Sequence, residues 1–94
     1  MKKRLHPTSQ YKKDFKRYLN QPKKLMALQK ILVCLENGKP IPEENHPHQL
    51  HNDYADCWEC HIQGDFLLIW INDEVIELVR LGSHSELFGN GRKK

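Results

Sequence analysis

The sequence predicts an α+β fold: a helical hairpin packed on one face of a small, mostly antiparallel sheet, in the order β-α-α-β-β-β, with a short helix at the end. Three observations predict it. Residues 8–36 carry two apolar stripes at helical spacing, parted at Pro22. Residues 57–81 carry three apolar segments parted by the turn signals Gln63-Gly64 and Asn72-Asp73-Glu74. With 94 residues the chain has the length of one domain, so both sets of elements are expected to share a single core over residues 1–94.

Lys3 to His6 reads as a short first strand, stopped by Pro7. Thr8 or Ser9 can cap a helix running to about Asn20. Tyr11, Phe15, Tyr18 and Leu19 fall at i, i+4, i+7 and i+8, one apolar face, while Lys12, Lys13, Lys16 and Arg17 take the other side. Asn20-Gln21-Pro22 breaks the chain, and Pro22 suits the start of a second helix. Leu25, Leu28, Leu32 and Leu35 make its apolar stripe, and Asn37-Gly38 its stop, with Pro40 just beyond. Residues 38–56 hold three prolines and little periodicity, and read as a long loop of the kind that often carries function. Cys57 to Ile62, Asp65 to Ile71 and Val75 to Leu81 are the three strands of a meander. Ser83 caps a final element that ends at Phe88, and the tail from Asn90 to Lys94 is expected to fray.

A chain this short buries only about 60–65% of the surface it exposes when unfolded. It has room for one modest core, so an active site should be a shallow surface groove that suits a large substrate. Charge is uneven: residues 1–47 hold 11 Lys/Arg against 4 Asp/Glu, and residues 48–94 hold 4 against 8. A basic first half favours a polyanionic partner, either nucleic acid or an acidic protein, although a solvated lysine-rich helix face would look the same. No apolar run approaches the ~20 residues that span a bilayer, and the basic start is not followed by the apolar stretch of a secretory signal. The expectation is a cytoplasmic protein, with no membrane partner, whose three cysteines are reduced thiols.

Six histidines are many for this length. Histidine gives and takes protons near neutral pH. Three chemistries compete for the set. Zinc could use Cys57 and Cys60, but residues three apart on a strand point to opposite faces, and there is no second cysteine pair. Cys57-Trp58-Glu59-Cys60-His61 matches the haem-attachment pattern, but in a strand context and without an export signal. Metal-free RNA cleavage needs a base for the 2′-hydroxyl, an acid for the departing 5′-oxygen and cations for the charge on phosphorus. His61 and Asp65 lie four apart across Gly64, and a three-residue loop would place them face to face. Arg80 and His84 lie at the end of the last strand. Singly, each has a plainer reading: Asp65 as a turn residue, Arg80 as a strand-face ion pair, His84 as a helix cap, His46 and His51 as exposed loop residues.

The ending Arg80-Leu81-Gly82-Ser83-His84-Ser85-Glu86-Leu87-Phe88-Gly89 resembles that of the YafQ-type toxins of the RelE superfamily, Arg-x-Gly-(Ser/Thr)-His-x-x-Leu-Phe. His48-Gln49-Leu50, then His61, then Asp65 stand at the family's spacings, with apolar strand residues after Asp65. The resemblance implies a RelE-like fold and the toxin half of a type II toxin–antitoxin pair. It further implies a ribosome-dependent endoribonuclease that needs no metal or other cofactor and cuts messenger RNA in the A site of the 70S ribosome. His48, His61, Asp65 and His84 would form the catalytic set, with His84 the general acid and His48 or Asp65 the base. Phe88 would seat a nucleotide by stacking, and Arg80 would hold phosphate charge. Lys12, Lys13, Lys16 and Arg17 would grip ribosomal RNA. The partners implied are a DinJ/RelB-like antitoxin and, only as the toxin–antitoxin complex, operator DNA. Two departures stand out: Asp53, Asp56 and Glu59 are acidic where relatives tend to carry basic or glycine residues, and Trp58 stands where an arginine is often found. Glu59 is thereby an extra candidate contributor. The alternative is a non-catalytic protein, either a ParE-like gyrase inhibitor or an antitoxin-binding relative.

Overall fold

The computed structural model describes residues 2–51 and 54–89. The tail expected to fray and Asp53 lie outside the described residues. The elements are β1 (Arg4–Pro7), α1 (Ser9–Lys16), α2 (Pro22–Glu36), a 3-10 turn (Glu43–Asn45), β2 (His48–Gln49), β3 (Trp58–Gln63), β4 (Phe66–Ile71), β5 (Val75–Gly82) and α3 (His84–Phe88). They form a five-stranded sheet of order β1-β5-β4-β3-β2. The three pairings among β2, β3, β4 and β5 are antiparallel, and β1 runs parallel to β5. The α+β architecture is therefore the expected one, with a mixed sheet.

Both helices lie on one sheet face. Thr8 caps α1, its hydroxyl accepting from Tyr11 N–H at 3.2 Å. The helix stops at Lys16 rather than near Asn20. Beyond it the chain tightens into i→i+3 bonds, Arg17 N–H to the Asp14 carbonyl and Tyr18 N–H to that of Phe15. That tightening carries Tyr18 into the core and leaves Leu19, expected inside, 59% exposed. Pro22 starts α2 as expected, and Gly38, at φ 68°, ends it. The stripe that α2 buries is Leu28, Ile31 and Leu35, with Leu25 and Leu32 half-buried at its margins. Together with Tyr11 and Tyr18 these residues close over Cys60, Phe66, Leu68, Trp70, Ile76 and Leu81 of the sheet.

The opposite face has a smaller apolar floor, Leu67 and Ile69 with Cys57 and Leu87, and no helix longer than α3 covers it among the described residues. Covered on both sides, β4 is buried from Phe66 to Trp70, which explains its unbroken apolar run. Cys57 and Cys60 are in different clusters on opposite faces, so they form no pair. Burial pushes the Cys60 thiol up to about 12, which makes it a packing group.

Two expectations are corrected. The segment taken as loop contains β2, whose two residues pair with Trp58 and Glu59; so short a strand has no readable period. The β3–β4 hairpin turns through Gly64 and Asp65, with Gln63 opposite Phe66 and His61 opposite Leu67. Gly64, at φ 54°, permits this two-residue turn. Asp65 therefore sits in the turn and does not face His61 across the strands. No described helix is long and apolar enough to cross a membrane.

Candidate functional site

The site forms where α3 meets the β3–β4 turn. Ser83 caps α3 with a full capping box: its hydroxyl accepts from Glu86 N–H, and the Glu86 carboxylate accepts from Ser83 N–H at 3.0 Å. Glu86 also accepts from the Tyr18 hydroxyl at 2.6 Å, a bond that holds its carboxyl below the usual range. A Cβ on Gly82 would stand 2.5 Å from the same carboxylate, so glycine is what allows the box to close. This local chemistry fixes His84 at the first position of the helix.

His84 meets Asp65 twice. Its backbone N–H donates to Oδ1 at 3.0 Å, and Nδ1 donates to the same oxygen at 2.6 Å. Those two bonds, backbone first, hold the Asp65 carboxyl below its ordinary value although the side chain is 63% exposed. A row of rings extends on either side. The His61 ring is 5.6 Å from that of His84 and 5.7 Å from that of His46, both edge-on. Phe88 lies 6.1 Å from His84 on the other side, and Tyr54 meets Phe88 edge-on at 5.6 Å.

His48 stands beside Glu59 in the β2–β3 pairing, on the same face as His61 two residues further along β3. It joins the row through His46, whose carbonyl accepts from His48 Nδ1 at 2.8 Å. Its other nitrogen, Nε2, is 3.1 Å from the buried Glu59 carboxylate. Both nitrogens thus face acceptors, the His46 carbonyl and the Glu59 carboxylate.

The remaining expected residues divide. Lys12, Lys13, Lys16 and Arg17 are exposed along α1. Arg17 also approaches Glu86 at 3.6 Å, beside the site. Arg80 is enclosed: Nε and Nη2 donate to Asp14 at 2.7 and 3.3 Å, and Nη1 to the Tyr54 hydroxyl at 3.2 Å. Its plainer reading, an ion pair, is the arrangement observed. Sequence reasoning missed Asp14, Tyr54, Glu86 and the ring contact of His46. Asp14 alone left a readable trace, an acidic residue between Tyr11 and Tyr18 on the buried stripe of α1.

The family model for the bacterial toxin of type II toxin–antitoxin systems, YafQ, matches residues 3–89. This chain belongs to the YafQ toxin family. A protein of Haemophilus influenzae named as a YafQ toxin is 43% identical over 58 residues, 56% of this chain and 57% of that one, so the match spans little more than half of that relative. YafQ in the Escherichia coli DinJ–YafQ toxin–antitoxin complex is 26% identical, covering 95% of this chain and all of that one, at TM-score 0.83. A copper-bound mutant toxin from Helicobacter pylori is 32% identical, covering 94% of this chain and all of that one, at TM-score 0.82. Membership thus rests on sequence and fold together.

Proposed function

We propose that this YafQ-family toxin is an endoribonuclease that cuts messenger RNA in the ribosomal A site, without a metal, by attack of the 2′-hydroxyl on the adjacent phosphorus. One observation carries the reading: His84, held by Asp65, shares an open sheet face with His61 and the His48–Glu59 pair. Asp65 accepts from Nδ1–H and so leaves Nε2 of His84 as the nitrogen for the substrate, the role an orienting carboxylate plays beside a catalytic imidazole. With Nδ1 held in this way, Nε2 can be aimed at the departing 5′-oxygen, which suits His84 to the role of general acid.

The base is narrowed by the same geometry. Asp65 is tied up by two bonds from His84 and is made less basic by them. Both nitrogens of His48 are engaged. Of the proposed set, His61 makes ring contacts and, among the described residues, no side-chain hydrogen bond, which supports it as the imidazole that takes the 2′-hydroxyl proton. His48, held beside Glu59 on the same face, then serves the charge growing on phosphorus. Phe88 seats a nucleotide by stacking, and the α1 lysines hold ribosomal RNA. An acidic DinJ-like antitoxin would neutralise the basic half, and operator DNA would be bound by that complex alone. The exposed basic stripe and the DinJ complex of the Escherichia coli relative support this partner.

The test is cleavage of a message on pre-assembled ribosomes, read by primer extension. Wild type is expected to cut near codon boundaries, and His84→Ala and Asp65→Ala to lose at least about 100-fold while keeping the fold, the scale of an acid–base group. A chelator that takes copper and zinc but spares magnesium should leave the wild-type rate unchanged. Intact messages with damaged DNA would overturn the nuclease in favour of gyrase. Wild-type cleavage by both variants would overturn the site, and loss of activity in chelator would overturn the metal-free chemistry.

A further inference from the structure

Asp14 is the most deeply buried charged group described, with 0% of its surface exposed. Burying a carboxylate is costly unless it is fully paired. Here the pairing is complete, and all of it except one local bond points at the site. Oδ2 accepts from Arg80 Nε at 2.7 Å and from the backbone N–H of Leu81 at 3.0 Å. Oδ1 accepts from Arg80 Nη2 at 3.3 Å and, locally, from Gln10 at 3.2 Å. The chain of bonds continues past Arg80. Nη1 donates to the Tyr54 hydroxyl, and that hydroxyl donates to the carbonyl of Leu87 at 3.0 Å. The Tyr54 ring then stands edge-on to Phe88.

We infer that Asp14 is a positioning residue of the cleavage site, acting through Arg80 and Tyr54 to set where the end of α3 presents Phe88. The inference rests on the proposed nuclease reading. Its physical basis is that α3 has only five residues, too few to hold itself in place. The capping box and Asp65 tether its first turn. Its last turn is tethered by Leu87 packing and by the Tyr54 hydroxyl, which takes its direction from a guanidinium that Asp14 locks on two sides. The same carboxylate belongs to the helix that bears Lys12, Lys13, Lys16 and Arg17. The basic stripe and the nucleotide seat are therefore held in register by one buried charge. On this view Arg80 orients the seat, and its donors are committed to protein oxygens before any phosphate arrives.

Tyr54→Phe is the sharpest test, because it removes one oxygen and keeps the ring against Phe88. Single-turnover cleavage at saturating toxin is expected to fall about tenfold, or about 1.4 kcal/mol, as the hydroxyl's bonds with Arg80 and Leu87 are both lost, with the thermal midpoint nearly unchanged and the same factor at every pH. In a Phe88→Ala background the same change should have no further effect, since the seat it serves is gone. Asp14→Asn is less stable, but scored per folded molecule its loss of cleavage should match that of Tyr54→Phe and not add to it. Wild-type cleavage by Tyr54→Phe beside an active wild-type control would overturn the inference, as would additive losses with Phe88→Ala. Failure of the wild-type control itself would instead count against the nuclease reading.

Discussion

The two faces of the sheet are built to different rules. The helix-covered face excludes water: its residues are apolar, and the carboxylate that enters it, Asp14, is saturated with donors. On the open face Glu59 is buried beside His48, but His84 and Asp65 are left within reach of solvent, 56% and 63% exposed while touching each other. Stability and chemistry are thus drawn from opposite sides of the same strands. Alternation makes this possible: along β3, Trp58, Cys60 and Ile62 go to the core, and Glu59 and His61 to the site. A small domain has no spare core to give to function, so it places function on the face that α1 and α2 leave uncovered.

If that division holds, truncation on the sealed face should damage the fold far more than any change among the imidazoles. Phe66 is 1% exposed and packs against Tyr18 with ring centroids 4.6 Å apart. Phe66→Ala is expected to cost about 3–5 kcal/mol, a large part of the total stability of so small a domain. Urea unfolding of Phe66→Ala beside His84→Ala measures the contrast directly, with His84→Ala within about 0.5 kcal/mol of wild type. Comparable losses in the two variants would dissolve the distinction between the faces.

Gly82 is where the faces should fail together. Glu86 accepts from Tyr18, which belongs to the core, and closes the capping box that aims His84 at Asp65. The Cβ of Gly82→Ala would fall on that carboxylate, and the φ of 155° is one that side chains rarely adopt. The expected cost is about 1–3 kcal/mol, with cleavage reduced beyond what the lost folded fraction explains. Thermal melts and cleavage scored per folded molecule separate the two effects. A variant that is destabilised but fully active once folded would show that α3 keeps its aim without the box.

The helices and the meander were legible in the sequence because period, caps and turn residues agreed with one another: Pro22, Gly38 and Ser83 stand at the boundaries expected. The candidate site was legible mainly through the family resemblance that the spacing of His48, His61, Asp65 and His84 carries. What could not be read is what long-range geometry decides. Asp65 reaches His84 because a two-residue turn releases it from the strand pairing. Asp14 and Arg80 meet across 66 positions, and neither carries a local sign of the other. β1 is parallel to β5, a pairing between strands far apart in the chain that the residues of β1 do not announce. Local chemistry announces itself in sequence, whereas the partner of a buried charge is known only once the chain has folded.

The smallest expected effect separates the two acidic groups most cleanly. Burial raises the Asp14 carboxyl, but the Arg80 fork, the Leu81 N–H and the Gln10 amide outweigh it and leave the group below its ordinary value. A carboxyl depressed in the folded state adds stability that is present above its unfolded value, near about 4, and is lost as pH falls through the folded one. Asp65 is depressed too, yet it is exposed, so solvent screens most of what its bonds contribute. Unfolding free energy should therefore be level between about pH 7 and 5 and decline below about 4, with a slope reflecting protons taken up on unfolding. Asp14→Asn should flatten that decline by about one proton while lowering the plateau, because Arg80 keeps its charge and loses its partner. Asp65→Asn should leave both nearly as they were. Urea melts from about pH 2 to 7 read the outcome, and an acid limb that answers to Asp65 instead of Asp14 would mean that the open face, too, carries the fold.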